Sequence, residues 1–138
     1  MKFFLDANII VSILNKEFPL YTYTSRILSL VDNKKFSVYT SPLALAIAFY
    51  FSEKKSGTEL ARKKIELLAA KISISQTGQQ EVLSSLQNKK IHDFEDGIHY
   101  YSAINSFCTV IITNDVNDFY FSAIEILKPE AFMKKYLM

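Results

Sequence analysis

The run TVIIT at 109–113 constrains this chain more than any other stretch. It is short, β-branched and apolar, as a strand buried on both faces of a sheet reads. DFEDGIHYYSAINSFC at 93–108 precedes it, and Asn114-Asp115 follows at once. The preceding segment predicts a helix over 94–106. Asp93 is its N-cap, and Asp96 lies in the first turn, where the helix dipole favours negative charge. Phe94, Ile98, Tyr101, Ile104 and Cys108 recur at helical spacing and predict the buried face. A helix that packs antiparallel on the strand it feeds begins where that strand ends. Asp96 and Asp115 are therefore expected at one rim of the sheet, although 19 positions separate them. In open α/β sheets, ligands bind at the carboxyl ends of the strands.

The rest of the chain alternates in the same way. KFFL at 2–5 reads as a strand ending at Asp6, and DANIIVSILN turns into a helix that buries Ile9, Ile10, Ile13 and Leu14. A helix is expected over 19–32 and a strand at 36–40. Ser41-Pro42 then caps and opens a helix over 42–53, apolar nearly all round and so expected to be covered on more than one side. Gly57 breaks it before a charged helix, ELARKKIELLAAK, with Leu60, Ala61, Ile65 and Leu68 inward. ISIS at 72–75 reads as strand three. QQEVLSSLQNKK reads as a helix with Val82, Leu83 and Leu86 inward. A short turn at 116–122, strand five at 124–127 and a last helix from Pro129 complete the series. Strands alternating with helices predict an α/β fold around a parallel sheet with right-handed crossovers.

Length and composition narrow the function. With 138 residues, 49% of them hydrophobic, one domain spanning 1–138 with a sizeable core is expected. The lone cysteine, Cys108, excludes an internal disulfide and a multi-cysteine zinc site. It suits a reducing compartment. The longest apolar run, LALAIAFYF, has nine residues where about 20 are needed to span a membrane. MKFFL is interrupted by Asp6 and Asn8 and lacks a small-x-small cleavage site, so a cytoplasmic protein is expected. Segment 91–127 holds six of the 14 acidic residues and none of the 16 Lys and Arg. A basic body around an acidic patch suits a polyanion held against a metal-filled pocket.

Asp6, Asp96 and Asp115 come to one rim from three separate elements. At about 4 Å and an effective dielectric near 20, each ionised pair would cost about 4 kcal/mol. A divalent cation with oxygen ligands, Mg²⁺ or Mn²⁺, answers that repulsion. It can also activate a water and neutralise charge developing on a phosphodiester. No Ser-His-Asp or Cys-His arrangement and no phosphate-cradling Gly loop is evident. Asp118, three residues past Asp115, is a further metal candidate or a cap on the turn before Phe119. Asp93 is read first as the helix cap. Asn8 either bonds the backbone just after strand one or holds a water of the bound ion. Thr113, ending the TVIIT strand, joins Asn8 and Asp93 as supporting residues. His92 reads as a loop residue and His99 as an exposed helix residue. Gly97 inside a helix costs roughly 0.8–1 kcal/mol relative to Ala, which points to close packing there.

The blocks FFLDANII at 3–10, SPLALAIAFYF at 41–51, DFEDGIHYYSA at 93–103, IITNDVNDF at 111–119 and ILKPEAF at 126–132 resemble the PIN-domain ribonucleases. That family includes the toxins of many bacterial toxin–antitoxin pairs. DFEDGIHYYSA followed by IITNDVNDF is the specific part of the likeness. The resemblance implies an α/β/α sandwich around a five-stranded parallel sheet of order 3-2-1-4-5. It also implies Mg²⁺- or Mn²⁺-dependent cleavage of RNA, a homodimer, and a small antitoxin protein as partner. Asp6, Asp96 and Asp115 match the family's metal-binding acids. Two positions depart from the pattern: Ile47 stands where the family often has Glu, and Ala7 where Thr or Ser is usual. Losing that Glu would weaken metal affinity or leave one ion where two would sit, with Asp118 or Asp93 placed to compensate. The alternative is a catalytically degenerate PIN domain that binds RNA or protein without cutting it. A phosphoacceptor domain of flavodoxin-like shape would need an Asp at the end of strand three, and ISISQTG has none.

Overall fold

A computed structural model describes residues 1–138. Five strands form one parallel sheet: β1 (Lys2–Leu5), β2 (Ser37–Thr40), β3 (Ser73–Ile74), β4 (Val110–Ile112) and β5 (Glu125–Leu127). Their order is β3-β2-β1-β4-β5, the 3-2-1-4-5 order expected. Central β1 pairs with β2 on one side, Phe3 opposite Val38, and with β4 on the other, Phe3 opposite Val110.

Seven helices cover the sheet: α1 (Ala7–Asn15), α2 (Tyr21–Leu28), α3 (Pro42–Ser56), α4 (Thr58–Ala69), α5 (Gln79–Gln87), α6 (Phe94–Asn105) and α7 (Pro129–Tyr136). Strand side chains alternate between faces, so KFFL and VII each supply two layers. Phe3, Leu5, Val110 and Ile112 enter the larger core, with Ile9, Ile10 and Ile13 of α1, Ile27 of α2, Leu45 of α3, Leu68 of α4 and Phe132 of α7. Phe4 and Ile111 enter a smaller core on the opposite face, with Tyr100 and Ala103 of α6, Cys108 and Phe119. The result is an α/β/α sandwich. No helix is long and apolar enough to cross a membrane.

Several helical faces differ from expectation. α6 buries Gly97, His99, Tyr100, Ser102 and Ala103, whereas Phe94 is 46% exposed. Of the expected stripe, Cys108 is buried, Tyr101 and Ile104 pack partly buried against the smaller core, Ile98 is half-buried and Phe94 is exposed. The helix meets the sheet through Tyr100 and Ala103, and meets α5 through small residues that allow close approach. Gly97 shows this directly: a Cβ there would lie 2.9 Å from Ser85 Cβ and 3.0 Å from Ile91 Cγ2. α5 likewise turns Glu81 and Ser85 inward and leaves Leu83 and Leu86 exposed, against the expected pattern. Glu81 accepts from the Gly78 N–H at the start of α5 and from Asn105 of α6, and the second, charge-assisted bond ties the two helices.

Other departures are smaller. Only Tyr21–Leu28 of the expected 19–32 helix is α-helical, and Ser29–Asp32 tightens into a 3₁₀ turn. β3 has two residues rather than four. α3 runs three residues beyond 53 and is covered by α1 and α4, but Tyr50 and Phe51 remain about half exposed. Leu60 is also exposed, while Ala61 and Leu68 are buried as expected. Gly57, at φ +84°, ends α3 and admits α4 directly.

Candidate active site

The carboxyl ends of β1 and β4 and the first turn of α6 meet around one cleft of about 410 Å³. Asp6, Asn8, Asp93, Asp96, Asp115 and Asp118 all line it, so the structure brings together every acid singled out in the sequence. Glu17 and Glu95 line it too, and the sequence reading assigned them no role. Glu95 was visible in the acidic run. Glu17 follows the left-handed residue Lys16 that ends α1, a chain reversal that no local pattern announced. Val11, Ile47 and Phe51 form the apolar side of the cleft, and no Lys or Arg lines it.

Asp6 is the most enclosed of these acids, at 6% exposure. One oxygen, Oδ1, accepts from the Ala7 N–H at 2.7 Å and caps α1. The other, Oδ2, accepts from the Thr113 hydroxyl at 2.7 Å. Thr113 Oγ1 in turn accepts from the Asp115 N–H at 3.1 Å, so one buried hydroxyl joins the ends of β1 and β4. Asn8 spans the same gap. Its amide donates to Asp115 Oδ2 at 3.1 Å and lies 3.3 Å from Thr113 Oγ1. Its carbonyl accepts from the Asn114 N–H at 3.1 Å. Asn8 therefore bonds the backbone after β4, not the backbone just after β1.

Asp93 caps α6 by accepting from the Asp96 N–H at 3.1 Å. Asp118 sits in the 3₁₀ turn Val116–Phe119 and makes no cap there. His92 lies on the surface, stacked on Tyr120 with ring centres 5.7 Å apart. His99 is a correction: it is 1% exposed, not a surface residue. Its Nε2 stands 3.8 Å from Asp6 Oδ1, and its Nδ1 is 3.1 Å from Ser41 Oγ.

The electrostatics follow from this crowding. Burial pushes the Asp96 carboxyl up to about 7, helped by the charges of Asp93, Asp6, Asp118 and Glu95. Asp118 is raised by burial and then by Asp115, Asp6 and Asp93. Burial lowers the His99 imidazole below its ordinary value, against the opposing pull of Asp6, Glu95 and Asp93. An all-oxygen donor set without a neighbouring cationic side chain fits a hard divalent ion. No group of three or more His, Cys, Asp and Glu side chains is gathered closely enough to hold a metal ion by itself. The acids share a cleft without forming a cage.

Comparison with known proteins agrees with this architecture. A family model described as PIN domain matches residues 2–117. A search of curated proteins finds no match. Among solved structures, VapBC-1 from nontypeable Haemophilus influenzae aligns with a TM-score of 0.72 at 20% identity, covering 94% of this chain and 99% of that one. VapBC2 from Rickettsia felis, bound to a DNA fragment from its promoter, aligns at 0.70 and 20% identity, covering 93% and 98%. VapC20 from Mycobacterium tuberculosis, described as a sarcin-ricin loop cleaving toxin, aligns at 0.62 and 12% identity, covering 79% and 86%. These structures share the fold. On the strength of the family match, the chain belongs to the PIN-domain family.

Proposed function

We propose that the protein is a divalent-metal-dependent endoribonuclease, the toxin component of a toxin–antitoxin pair acting in the cytoplasm. One observation carries the reading: carboxylates from β1, β4 and α6 line one cleft that no Lys or Arg enters. Asp6, Asp96 and Asp115 would hold Mg²⁺ or Mn²⁺, with Asp118 at the outer edge. When bound, the ion would supply charge neutralisation at the phosphodiester and activation of a water. Thr113 and Asn8 fix the Asp6 and Asp115 carboxylates relative to one another through the hydrogen bonds described above. Asp93 holds the start of α6 and hence the position of Asp96. The basic remainder of the chain would bind the RNA backbone. An antitoxin partner is supported by the VapBC structures that share the fold, and a homodimer by the family resemblance.

Incubating the pure protein with RNA and Mn²⁺ tests the reading, with chelator and Asp96→Asn as controls. Cleavage is expected to stop in both. Cutting that persists unchanged in both would refute the mechanism.

One observation favours a second reading. Ile47 lies in the cleft, where a carboxylate would otherwise be available to a cation. A degenerate domain that binds RNA or protein without cutting would show no Mn²⁺ binding in the micromolar-to-millimolar range by calorimetry, whereas the nuclease would.

A further inference from the structure

His99 is buried, yet its Nε2 has no hydrogen-bond partner. An unsatisfied buried donor costs about 1–3 kcal/mol, and an apolar side chain of similar size would avoid that cost. The surroundings admit a ring that carries its proton on Nε2. Ser41 Oγ caps α3 by accepting from the Ala44 N–H at 2.9 Å, so its single proton is free to go to His99 Nδ1 at 3.1 Å. A neutral ring that accepts at Nδ1 carries its proton on Nε2. The nearest carboxylate oxygen, Asp6 Oδ1, stands 3.8 Å from Nε2. The separation exceeds a hydrogen bond by less than 1 Å.

We propose that His99 is a positioning residue for Asp6, with Nε2–H donating to Oδ1 and fixing the carboxylate's orientation when the cleft takes up a divalent cation. The proposal rests on the metal-dependent reading above. Asp6 already receives the Ala7 N–H on Oδ1 and the Thr113 hydroxyl on Oδ2. His99 adds a third donor from behind the cleft, anchored through Ser41 to the start of α3. The chain Ala44–Ser41–His99–Asp6 thus links α3, α6 and β1 at one carboxylate. Hydrogen-bonded partners of this kind orient metal ligands, and their loss typically weakens metal affinity 10–100-fold.

Two measurements decide it. The ¹⁵N ring resonances of His99 in the metal-free protein should show the Nε2–H tautomer. Mn²⁺ titration calorimetry on wild type, His99→Gln and His99→Leu should show affinity within about threefold for Gln, whose amide nitrogen reaches the Nε2 position. Leu should be weaker by roughly 10-fold or more. Thermal melts identify folded variants, and the ring spectrum needs no variant at all. An Nδ1–H tautomer would overturn the role of His99 even with Mn²⁺ binding intact. So would a folded His99→Leu of wild-type affinity, or a His99→Gln as weak as His99→Leu. Wild-type protein that binds no Mn²⁺ would overturn the nuclease reading and this proposal with it.

Discussion

Asp96→Asn should stabilise the metal-free protein, and the gain should depend on pH. Raising a carboxyl from 3.8 to about 7 corresponds to an upper limit of about 4 kcal/mol lost on full ionisation. Asp96 is half-buried, so solvent screening brings this nearer 2 kcal/mol. Removing a negative charge from the first turn of α6 returns about 0.3–1 kcal/mol of that. A net gain of about 1–1.5 kcal/mol remains, or roughly 3–5 °C in Tm for a domain of this size. The folded pKa lies above the unfolded one, so the wild-type penalty is small below about pH 4, grows above it and is complete above about pH 7. Urea denaturation with chelator should show the full gain at pH 8, falling to about 0.7–1 kcal/mol at pH 4.5 and about 0.2 kcal/mol at pH 3.5. Saturating Mn²⁺ should reverse the order at pH 8, because the ion stabilises the wild type and has lost a ligand in the variant. An Asp96→Asn protein less stable than wild type at pH 8 in chelator would refute the idea that these acids repel in the empty cleft.

Two further substitutions probe the frame and the departure from family pattern. Gly97→Ala should destabilise: overpacking against Ser85 and Ile91 costs about 1–3 kcal/mol, more than the helix-propensity gain of about 1 kcal/mol, and a urea midpoint would register the loss. Ile47→Glu places another carboxylate in the cleft, so it should tighten Mn²⁺ binding in calorimetry while lowering the Tm measured in chelator. Unchanged affinity would mean that position 47 is too far from the ion to matter.

The residues at strand ends were the most legible part of the chain. Asp6 and Asp115 follow short apolar strands, and parallel pairing brings such ends together whatever the details of packing. Asp96 was placed by the same logic, since α6 must return along β4. Helix faces were harder to read. α6 and α5 pack through Gly97 against Ser85 and through the Asn105–Glu81 bond, and hydrophobic periodicity cannot see an interface made from small and polar side chains. The apolar spacing of Phe94 and Ile98 points to a face that is not the one burying His99. Glu17 was invisible for a different reason. Its place in the cleft depends on the reversal at Lys16, where φ is 50° in a residue that is not glycine.

Asp6 has two occupations, and experiments at this position will confuse them. The oxygen that accepts from Ala7 starts α1, and the helix carries four large side chains of the main core. Replacing Asp6 by Ala removes a cap worth about 0.5–2 kcal/mol along with any ligand. An inactive Asp6→Ala protein would thus report a loosened scaffold as readily as a missing charge. Asp115 caps no helix with its side chain, so a substitution there separates chemistry from architecture more cleanly.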